Sequence, residues 1–361
     1  MRIAFLESFY GGSHKNFLDG LVKHSTHDIE PFVLPARFWK WRLRCAALYF
    51  AEQLEGEMQK YDLVIASDMM NLAEFKSLSG YQGPSIYFFH ENQLTYPLPE
   101  HDKGEKHFGF VNLVSAMVAD LNIFNSEYHH NRFEEELPNF VNNIPEFIPL
   151  ASLSRILGKS RVMHLGCDFD TFGNIAPPRN DVPVILWSHR WGFDKQPEVF
   201  FRVIYALAET GIDFKLILIG ENFQVHPKAF LEAKKKLGPR ILQFGYVEAH
   251  EDYVKFLKMS DVIISTAIQE NFGYSVVEAS YYHTLPLLPD SLCYPEILDT
   301  QFHPQFLYKD ENDLTRKLVE LLKNHRKLDD TRKQISQSMA RFHWKKRISE
   351  FDRTFEEIVG Q

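Results

Sequence analysis

The run Val262-Ile263-Ile264-Ser265 is followed three residues later by Gln269-Glu270-Asn271-Phe272-Gly273-Tyr274-Ser275-Val276-Val277-Glu278. A short continuous apolar run predicts a strand buried on both faces, and the apolar residues after the glycine predict a helix. A strand, a polar loop and a helix in this order form the βα unit of a parallel sheet. The stretch therefore predicts an α/β fold with polar groups at the carboxyl end of a strand, where open α/β sheets bind ligands.

The same alternation of short apolar runs and helical patterns extends along the whole chain. The predicted strands are Ile3–Glu7, Pro31–Leu34, Leu63–Ala66, Ser85–Phe89, Leu121–Phe124, Val162–Leu165, Val184–Trp187, Lys215–Ile219, Ile241–Phe244, Val262–Ser265 and Leu285–Leu288. A length of 361 residues suits two domains of ordinary size. We predict two Rossmann-like, doubly wound domains with an interdomain cleft.

The domain boundaries follow from a segment rich in helix and strand breakers. Residues 173–183 contain one glycine and three prolines and lack helical periodicity, which is typical of a linker. We therefore predict domains at residues 1–172 and 184–340. Residues 341–361 have the apolar pattern of a terminal helix that crosses back to the first domain.

Composition excludes several classes of protein. The net charge of −8 argues against a general polyanion binder, so any contact with nucleic acid requires a local patch. No apolar run is long enough to cross a bilayer, and the first residues lack the pattern of a signal peptide. Three widely spaced cysteines favour a reducing compartment, so we expect a cytoplasmic location.

Two carboxylates flank a predicted helix start in the opening stretch. Glu270 is expected in the loop after the strand, and Glu278 about two helical turns into the following element. The amides from Phe272 to Tyr274 would then point outward and bind a diphosphate, with Gly273 allowing close approach of the backbone. The alternative is a capped helix with a solvated glutamate at each end.

A second polar segment, Ser188–Lys195, follows the first strand of the second domain and precedes a helix opened by Pro197. Arg190 and Lys195 would lie at the same sheet edge as Glu270. Two cations that converge on one point suit a diphosphate, above all one whose negative charge grows as it leaves during a reaction. Taken alone, an arginine and a lysine in a loop are more often solvated.

In the first domain two further segments follow predicted strands. Gly11-Gly12 lets the backbone approach a phosphate or sugar, although many tight turns carry such a pair and the pattern is not G-x-G-x-x-G. His90-Glu91-Asn92-Gln93 directly follows the strand Ser85–Phe89 and predicts a binding site at its end.

The sequence predicts no metal site. Asp168-Phe169-Asp170 has the D-x-D spacing that holds a divalent metal in some enzymes, but beside the linker it favours turn formation and capping. His129 and His130 are adjacent on a predicted helix and would point in different directions.

The segment Arg37–Arg44 packs four cations and three aromatic residues into eight positions. Three interpretations remain open on composition. The segment is an amphipathic helix whose long stems cover the core, a membrane-surface anchor, or an RNA contact that uses cations for phosphates and rings for bases.

These motifs together resemble retaining GT-B glycosyltransferases of family 4, with Leu285-Pro286 and Tyr294-Pro295-Glu296 adding to the match. Other segments look like the tRNA-queuosine mannosyltransferase family: Phe9-Tyr10-Gly11-Gly12-Ser13-His14-Lys15, Leu34-Pro35-Ala36, Ala47-Leu48-Tyr49-Phe50, Phe89-His90-Glu91-Asn92-Gln93-Leu94 and His189-Arg190-Trp191. The resemblance implies transfer of mannose from GDP-mannose to queuosine in the anticodon of tRNA-Asp.

The resemblance also implies roles for individual residues. Glu270 would bind hydroxyls of the donor sugar, and His90 would contact the sugar near the reacting carbon. The donor would be held by Gly11, Gly12, Arg190, Lys195, Asn271, Phe272, Gly273 and Glu278. The acceptor would be held by Arg37, Trp39, Lys40, Arg42, Glu91 and Asn92.

The resemblance implies no cofactor beyond the sugar nucleotide and no stable insertion into a membrane. Two other functions remain open. The same apparatus would act on a lipid-linked or free glycan at a membrane surface, or the chain would be a non-catalytic protein that binds RNA or nucleotide. A sugar-nucleotide epimerase is less favoured because the basic and aromatic segment Arg37–Arg44 would then have no function.

Overall fold

The structure is a computed structural model that describes residues 1–97, 107–144, 146, 150–169, 177, 180–221 and 228–360. The chain forms two compact units, one of Met1–Cys167 with Trp344–Gln361 and one of Asp168–His343. The units thus divide after Cys167, and most of the predicted linker 173–183 lies outside the described residues.

Each unit contains one parallel sheet. The strands of the first are β1 (Arg2–Tyr10), β2 (Asp28–Pro35), β3 (Leu63–Ser67), β4 (Ser85–Phe89), β5 (Leu121–Phe124) and β6 (Ser160–Val162). Those of the second are β7 (Val184–Ser188), β8 (Lys215–Ile219), β9 (Ile241–Gly245), β10 (Val262–Ile264), β11 (Leu285–Pro289) and β12 (Leu307–Tyr308).

The strand orders are β2-β1-β3-β4-β5-β6 and β12-β11-β10-β7-β8-β9. The first has the flavodoxin-like order and the second the Rossmann order. The direction of winding reverses between β1 and β3 in the first sheet and between β7 and β10 in the second. Loops after these strands leave the sheet on opposite faces, so each reversal opens a crevice suited to a ligand.

Helices connect the strands and cover the sheets. They are α1 (Gly12–His24), α2 (Trp39–Gln53), α3 (Leu72–Ser79), α4 (His107–Val118), α5 (Glu127–Asn142), α6 (Leu150–Gly158), α7 (Pro197–Glu209), α8 (Lys228–Leu237), α9 (His250–Met259), α10 (Tyr274–Tyr281), α11 (Tyr294–Ile297), α12 (His303–Phe306), α13 (Glu311–Asn324), α14 (Asp329–Met339) and α15 (Trp344–Val359).

All the predicted strands are present, with β1 extending to Tyr10 and β2 beginning at Asp28, and two larger differences concern β6 and β12. The sixth strand is Ser160–Val162, so it begins two residues before the predicted Val162–Leu165. Met163 and Leu165 follow the last paired residue of β6 and are buried. Their apolar character therefore reflects burial in the core and not membership of the strand. The edge strand β12 was missed because two residues carry no periodic pattern.

The last helix belongs to the first unit. Its first residue, Trp344, is fully buried against α1, where its ring centroid lies 5.5 Å from that of Phe17. Asp352 accepts hydrogen bonds from the hydroxyl of Ser25 at 2.6 Å and the amide of Thr26 at 2.9 Å. These bonds fix the helix on the residues that follow α1.

Close packing at this contact gives a stability prediction. A Cβ atom added to Gly20 would lie 1.9 Å from the Trp344 ring, so Gly20→Ala must displace α15. We expect a loss of about 1–3 kcal/mol in the free energy of unfolding. In Gly158→Ala the added atom meets nothing within 4 Å, so this control should be neutral or slightly stabilising in thermal unfolding. Equal midpoints for the two variants would contradict the contact.

Candidate active site

The site in the second unit is built at the reversal point between β7 and β10. The loop after β7 carries Arg190, Asp194 and Lys195, and the loop after β10 carries Glu270. The carbonyl of Asp194 accepts the amide of Ile268 at 2.8 Å, and the hydroxyl of Thr266 donates to the carbonyl of Lys195 at 2.8 Å. The two loops are therefore hydrogen-bonded to each other and hold their charged groups in fixed positions.

A buried ammonium group lies at the centre of this site. Lys195 Nζ donates to the carbonyl of Gln269 at 2.6 Å and to Glu270 Oε2 at 3.2 Å, and it lies 3.3 Å from Asp194 Oδ2. Burial opposes the charge on Lys195, but the carboxylates of Glu270 and Asp194 outweigh it and raise the pKa of Lys195. The lysine is therefore a fixed cation.

Arg190 is the second cation of this site, and its side chain is more exposed than that of Lys195. Its Nη2 atom lies 3.4 Å from Asp194 Oδ2, and its side chain is 39% exposed. Asp194, which sequence reasoning did not single out, therefore contacts both predicted cations. Burial would raise the pKa of Asp194, but Lys195 and Arg190 keep it below its usual value.

Glu270 lies where the loop turns into α10. Its Oε1 atom accepts the amide of Gly273 at 3.2 Å, so this amide does not point outward toward a diphosphate as predicted. The cause is the geometry of the turn, because Gly273 has φ +78°. The neighbouring residues Asn271 and Phe272 are 7% and 2% exposed, and Asn271 accepts a hydrogen bond from Gln269.

Glu278 lies one turn into α10 and not two, because the helix begins at Tyr274. The carboxyl group is buried, and Tyr253 of α9 donates its hydroxyl to Oε2 at 2.9 Å. Burial raises the pKa of Glu278 to about 7, and the tyrosine hydrogen bond lowers it, since it favours the ionised form.

The contact between Tyr253 and Glu278 predicts a pH effect. If ionised Glu278 binds the donor, kcat/KM for the donor falls as the pH drops below about 7. Tyr253→Phe removes the hydrogen bond that lowers this pKa, so the acid limb should move to higher pH while activity at pH 8.5 or above changes little.

The control for this prediction is Tyr205→Phe. Tyr205 lies on α7, and among the described residues its hydroxyl has no hydrogen-bond partner. Its variant should keep the wild-type profile. An unmoved acid limb in Tyr253→Phe would show that Tyr253 does not set the charge of Glu278.

The glycine pair of the first unit follows β1. A Cβ atom on Gly11 would lie 2.5 Å from the Cβ atom of Ala36, so close packing against the end of β2 requires this glycine. Gly12 has φ +51°, and no atom lies within 4 Å of its Cβ position. The space beside Gly12 is consistent with the predicted approach of a ligand to the backbone.

Three buried side chains meet at the reversal point of the first sheet. His14 Nδ1 lies 3.1 Å from Glu7 Oε2, and His90 Nε2 lies 4.0 Å from the same oxygen. The two imidazole rings lie over each other with centroids 4.0 Å apart. Burial opposes the charge on His14, but Glu7 raises its pKa to about 9. Burial and the charge of His14 keep His90 neutral by lowering its pKa.

Among the described residues, Glu7, His14 and His90 also form a group that could hold a metal ion, with ligand atoms within 4.8 Å of one another. The hydrogen bond between His14 and Glu7 places a proton between two of those ligand atoms. A metal ion would have to displace that proton, so the geometry favours an ion pair.

The loops after β3 and β4 carry two further carboxyl groups near these histidines, Asp68 and Glu91, of which only Glu91 was predicted. Asp68, which sequence reasoning missed, accepts the amide of His90 through Oδ1 at 2.9 Å. Burial raises the pKa of Asp68 to about 8, and the charge of His14 opposes that rise. Glu91 is partly exposed and accepts a hydrogen bond from Gln93 at 3.2 Å.

Asn92 does not fit its predicted role in binding the acceptor. It is fully buried, and its Oδ1 atom accepts the amides of Leu94 and Thr95, each at 3.0 Å. Such bonds from an asparagine to following amides stabilise a turn. Asn92 therefore shapes the loop that carries Glu91.

The aromatic and basic segment forms the start of α2 and the residues before it. Trp39 is partly buried and packs against Phe108 with centroids 5.2 Å apart, so part of this ring lies against the core. Arg42 donates through Nη2 to the carbonyl of Pro35 at 3.0 Å. The exposed rings are instead those of Phe38 and Trp41, at 65% and 60%.

The cations of this segment lie close to its rings. The Arg37 guanidinium lies 5.8 Å from the centre of the Phe38 ring, and Lys40 Nζ lies 5.5 Å from that of Trp39. Arg37 is exposed and Lys40 is partly exposed. Of the four predicted acceptor residues here, these two fit a contact with a polyanion best.

Two parallel six-stranded sheets, with Rossmann-like strand orders, form the GT-B fold, and residues 168–341 match a family of glycosyltransferases. Sucrose-phosphate synthase from Thermosynechococcus elongatus has the same fold, with TM-score 0.80 and 14% identity over 100% of this chain and 99% of its own. A glycosyltransferase from Rickettsia africae ESF-5 matches with TM-score 0.70 and 17% identity over 99% and 98%.

The family follows from the sequence comparisons. Residues 2–167 match the model "tRNA-queuosine alpha-mannosyltransferase N-terminal", and residues 168–341 match "Glycosyl transferases group 1". A tRNA-queuosine alpha-mannosyltransferase from Drosophila melanogaster is 34% identical over 354 residues, which cover 95% of this chain and 92% of the relative. The chain belongs to the tRNA-queuosine alpha-mannosyltransferase family.

Proposed function

We propose that this enzyme transfers mannose from GDP-mannose to queuosine in the anticodon of tRNA-Asp, with retention of configuration and without a metal. The observation that carries the proposal is the buried Lys195, held as a cation beside Arg190 and Glu270. A fixed positive charge stabilises the diphosphate as its negative charge grows, which a divalent ion does in metal-dependent enzymes.

In this reaction the bond between the sugar C1 and the diphosphate oxygen breaks, and a bond from C1 to a queuosine hydroxyl oxygen forms on the same side. The hydroxyl proton passes to the leaving phosphate, so no side chain acts as a general base. Glu270 accepts hydrogen bonds from the donor sugar and Glu278 from the nucleotide ribose. Neutral His90 contacts the sugar near C1.

The acceptor is proposed to reach the enzyme through a local basic surface, because the chain as a whole carries a net charge of −8. Arg37 and Lys40 would contact phosphates, and the exposed rings of Phe38 and Trp41 would stack on unpaired bases. No helix among the described residues is long and apolar enough to cross a membrane.

Measurements of binding to tRNA and to anionic vesicles distinguish an RNA-binding role of Arg37–Arg44 from a membrane-binding role. Arg37→Ala/Lys40→Ala should weaken tRNA binding and reduce its salt dependence by about two phosphate contacts. Preserved tRNA binding together with lost binding to anionic vesicles would favour a glycan acceptor at a membrane.

Thermal unfolding with saturating ligands tests the donor. A ligand that binds the native state raises the midpoint, so GDP and GDP-mannose should stabilise the protein more than the UDP, ADP, UDP-glucose and ADP-glucose controls. If UDP or ADP compounds stabilise it instead, the assignment of GDP-mannose is wrong. Full activity after dialysis against a chelator is the expected result for a metal-independent reaction.

A further inference from the structure

An open cavity of about 530 Å³ lies at the ligand end of the first sheet, and the groups placed in the active site above do not line it. Its lining includes Asn71, the N-cap of α3, and His107, the first residue of α4. These helices follow β3 and β4 in the chain, so their first residues lie toward the carboxyl ends of those strands.

The helix that lines the cavity is bonded to the loop after β4. Asn112 of α4 accepts the amide of Gln93 through Oδ1 at 2.7 Å. A Cβ atom on Gly109 of the same helix would lie 3.4 Å from Leu94 Cδ1, so the helix also packs closely on this loop. The cavity is therefore held beside the loop that carries His90, where the proposed acceptor would meet the first unit.

The walls of the cavity combine aromatic rings with a few polar groups. Phe110 of α4 is 45% exposed, and its ring centroid lies 6.5 Å from that of Phe140 on α5. Val114, one helical turn after Phe110, continues the apolar wall. The polar groups are two amides and an imidazole, from Asn71, Asn143 and His107. Rings with hydrogen-bonding groups beside them match the flat faces and the polar edge of a nucleobase.

Size and charge favour a base of RNA over other apolar occupants. Small organic ligands occupy cavities of roughly 300–1,000 Å³, so a base has room here. The described lining residues carry no carboxylate group, and the exposed Arg44 lies beside the cavity, with Nη2 3.3 Å from His107 Nε2. The cavity is thus continuous with the basic segment Arg37–Arg44, and every base of RNA brings a phosphate that such cations can bind.

We propose that this cavity binds one unpaired base that neighbours queuosine in the anticodon loop. The base stacks on Phe110, and Arg44 contacts a phosphate beside it. A second base held in this way fixes the loop, so that queuosine is presented to the end of the sheet that carries His90. The inference rests on the proposed function, because it takes the acceptor to be RNA.

Equilibrium binding of hairpin RNAs tests the inference. Each hairpin has the anticodon-loop sequence with queuosine, and in each altered hairpin an abasic nucleotide replaces one unpaired base beside queuosine. One such change should weaken binding by the wild-type enzyme about 5-fold to 100-fold, which is the usual effect of losing a base stacked on an aromatic ring. Phe110→Ala should bind the intact hairpin more weakly and should bind that abasic hairpin equally well. Phe110→Trp, which keeps an aromatic surface, should retain the wild-type difference.

Leu78→Ala is the matched control. Leu78 is 53% exposed on α3 and does not line the cavity, so its variant should keep the wild-type difference between the hairpins. The inference would be overturned if no abasic hairpin bound the wild type more weakly, or if Phe110→Ala kept the full difference. A dimer in sedimentation that Phe110→Ala dissociates would also overturn it, because a second copy of the chain would then fill the cavity.

The same measurements separate this inference from the proposed function. A wild-type enzyme that binds no hairpin would contradict the proposed acceptor together with the inference. Hairpins that show the predicted difference in binding but receive no hexose from GDP-mannose would contradict the proposed transfer and support the base site.

Discussion

Lys195→Ala is expected to lower kcat for mannosyl transfer by about 10²-fold to 10³-fold, the usual effect of removing one preorganised group that stabilises charge in the transition state. The substitution also leaves Glu270 and Asp194 close together without the ammonium group that holds both. Their repulsion should weaken donor binding as well. Steady-state kinetics with queuosine-containing tRNA and varied GDP-mannose measure both effects.

Lys317→Ala is the control, because this is also a buried lysine of the second unit. Lys317 donates to the carbonyls of Pro304 and Leu307, away from the loops that carry Lys195 and Glu270. Its loss should reduce stability and leave kcat within about twofold below the unfolding temperature. Comparable losses of kcat in the two variants would mean that folding and not catalysis explains the effect of Lys195→Ala.

Glu278→Ala is expected to raise the KM for GDP-mannose by about 10-fold to 100-fold, since a hydrogen bond to a charged group contributes about 1.5–3 kcal/mol. The effect on kcat should be small because the proposed contact with the ribose would be present in the ground state as well as in the transition state. Glu278→Gln should also remove the fall in kcat/KM below pH 7 that the raised pKa predicts.

Glu311→Ala provides a matched surface control for Glu278. Glu311 pairs with Arg202 on the outside of the same unit, and its loss should leave the donor KM unchanged. An unchanged KM for GDP-mannose in Glu278→Ala would show that Glu278 does not bind the donor.

Much of the fold could be predicted from sequence because parallel strands that are buried on both faces consist of continuous apolar runs. Glu270 and Lys195 could be predicted for the same reason, since polar residues in the loop that follows such a run lie at the ligand end of the sheet. The contact between them, at 3.2 Å, is consistent with that reasoning.

Other features depend on contacts that no local pattern encodes. Tyr253 lies in the middle of α9, and nothing in its neighbourhood indicates that its hydroxyl reaches Glu278. Asp68 directly follows β3 and could have been recognised by the rule that found Glu270, but a lone aspartate after a strand is also a common turn residue. The composition around Trp39 leaves a core helix, a membrane anchor and an RNA contact open, and only the packing against Phe108 shows that part of its ring lies against the core.

The central claim is tested most directly by incubating the enzyme with GDP-mannose and queuosine-containing tRNA-Asp and measuring the mass of the released nucleosides. The account predicts that the queuosine signal shifts by the mass of one hexose, and that the shift forms much more slowly in Lys195→Ala and at about the wild-type rate in Lys317→Ala. An unshifted queuosine signal with enzyme that binds both substrates would contradict the account.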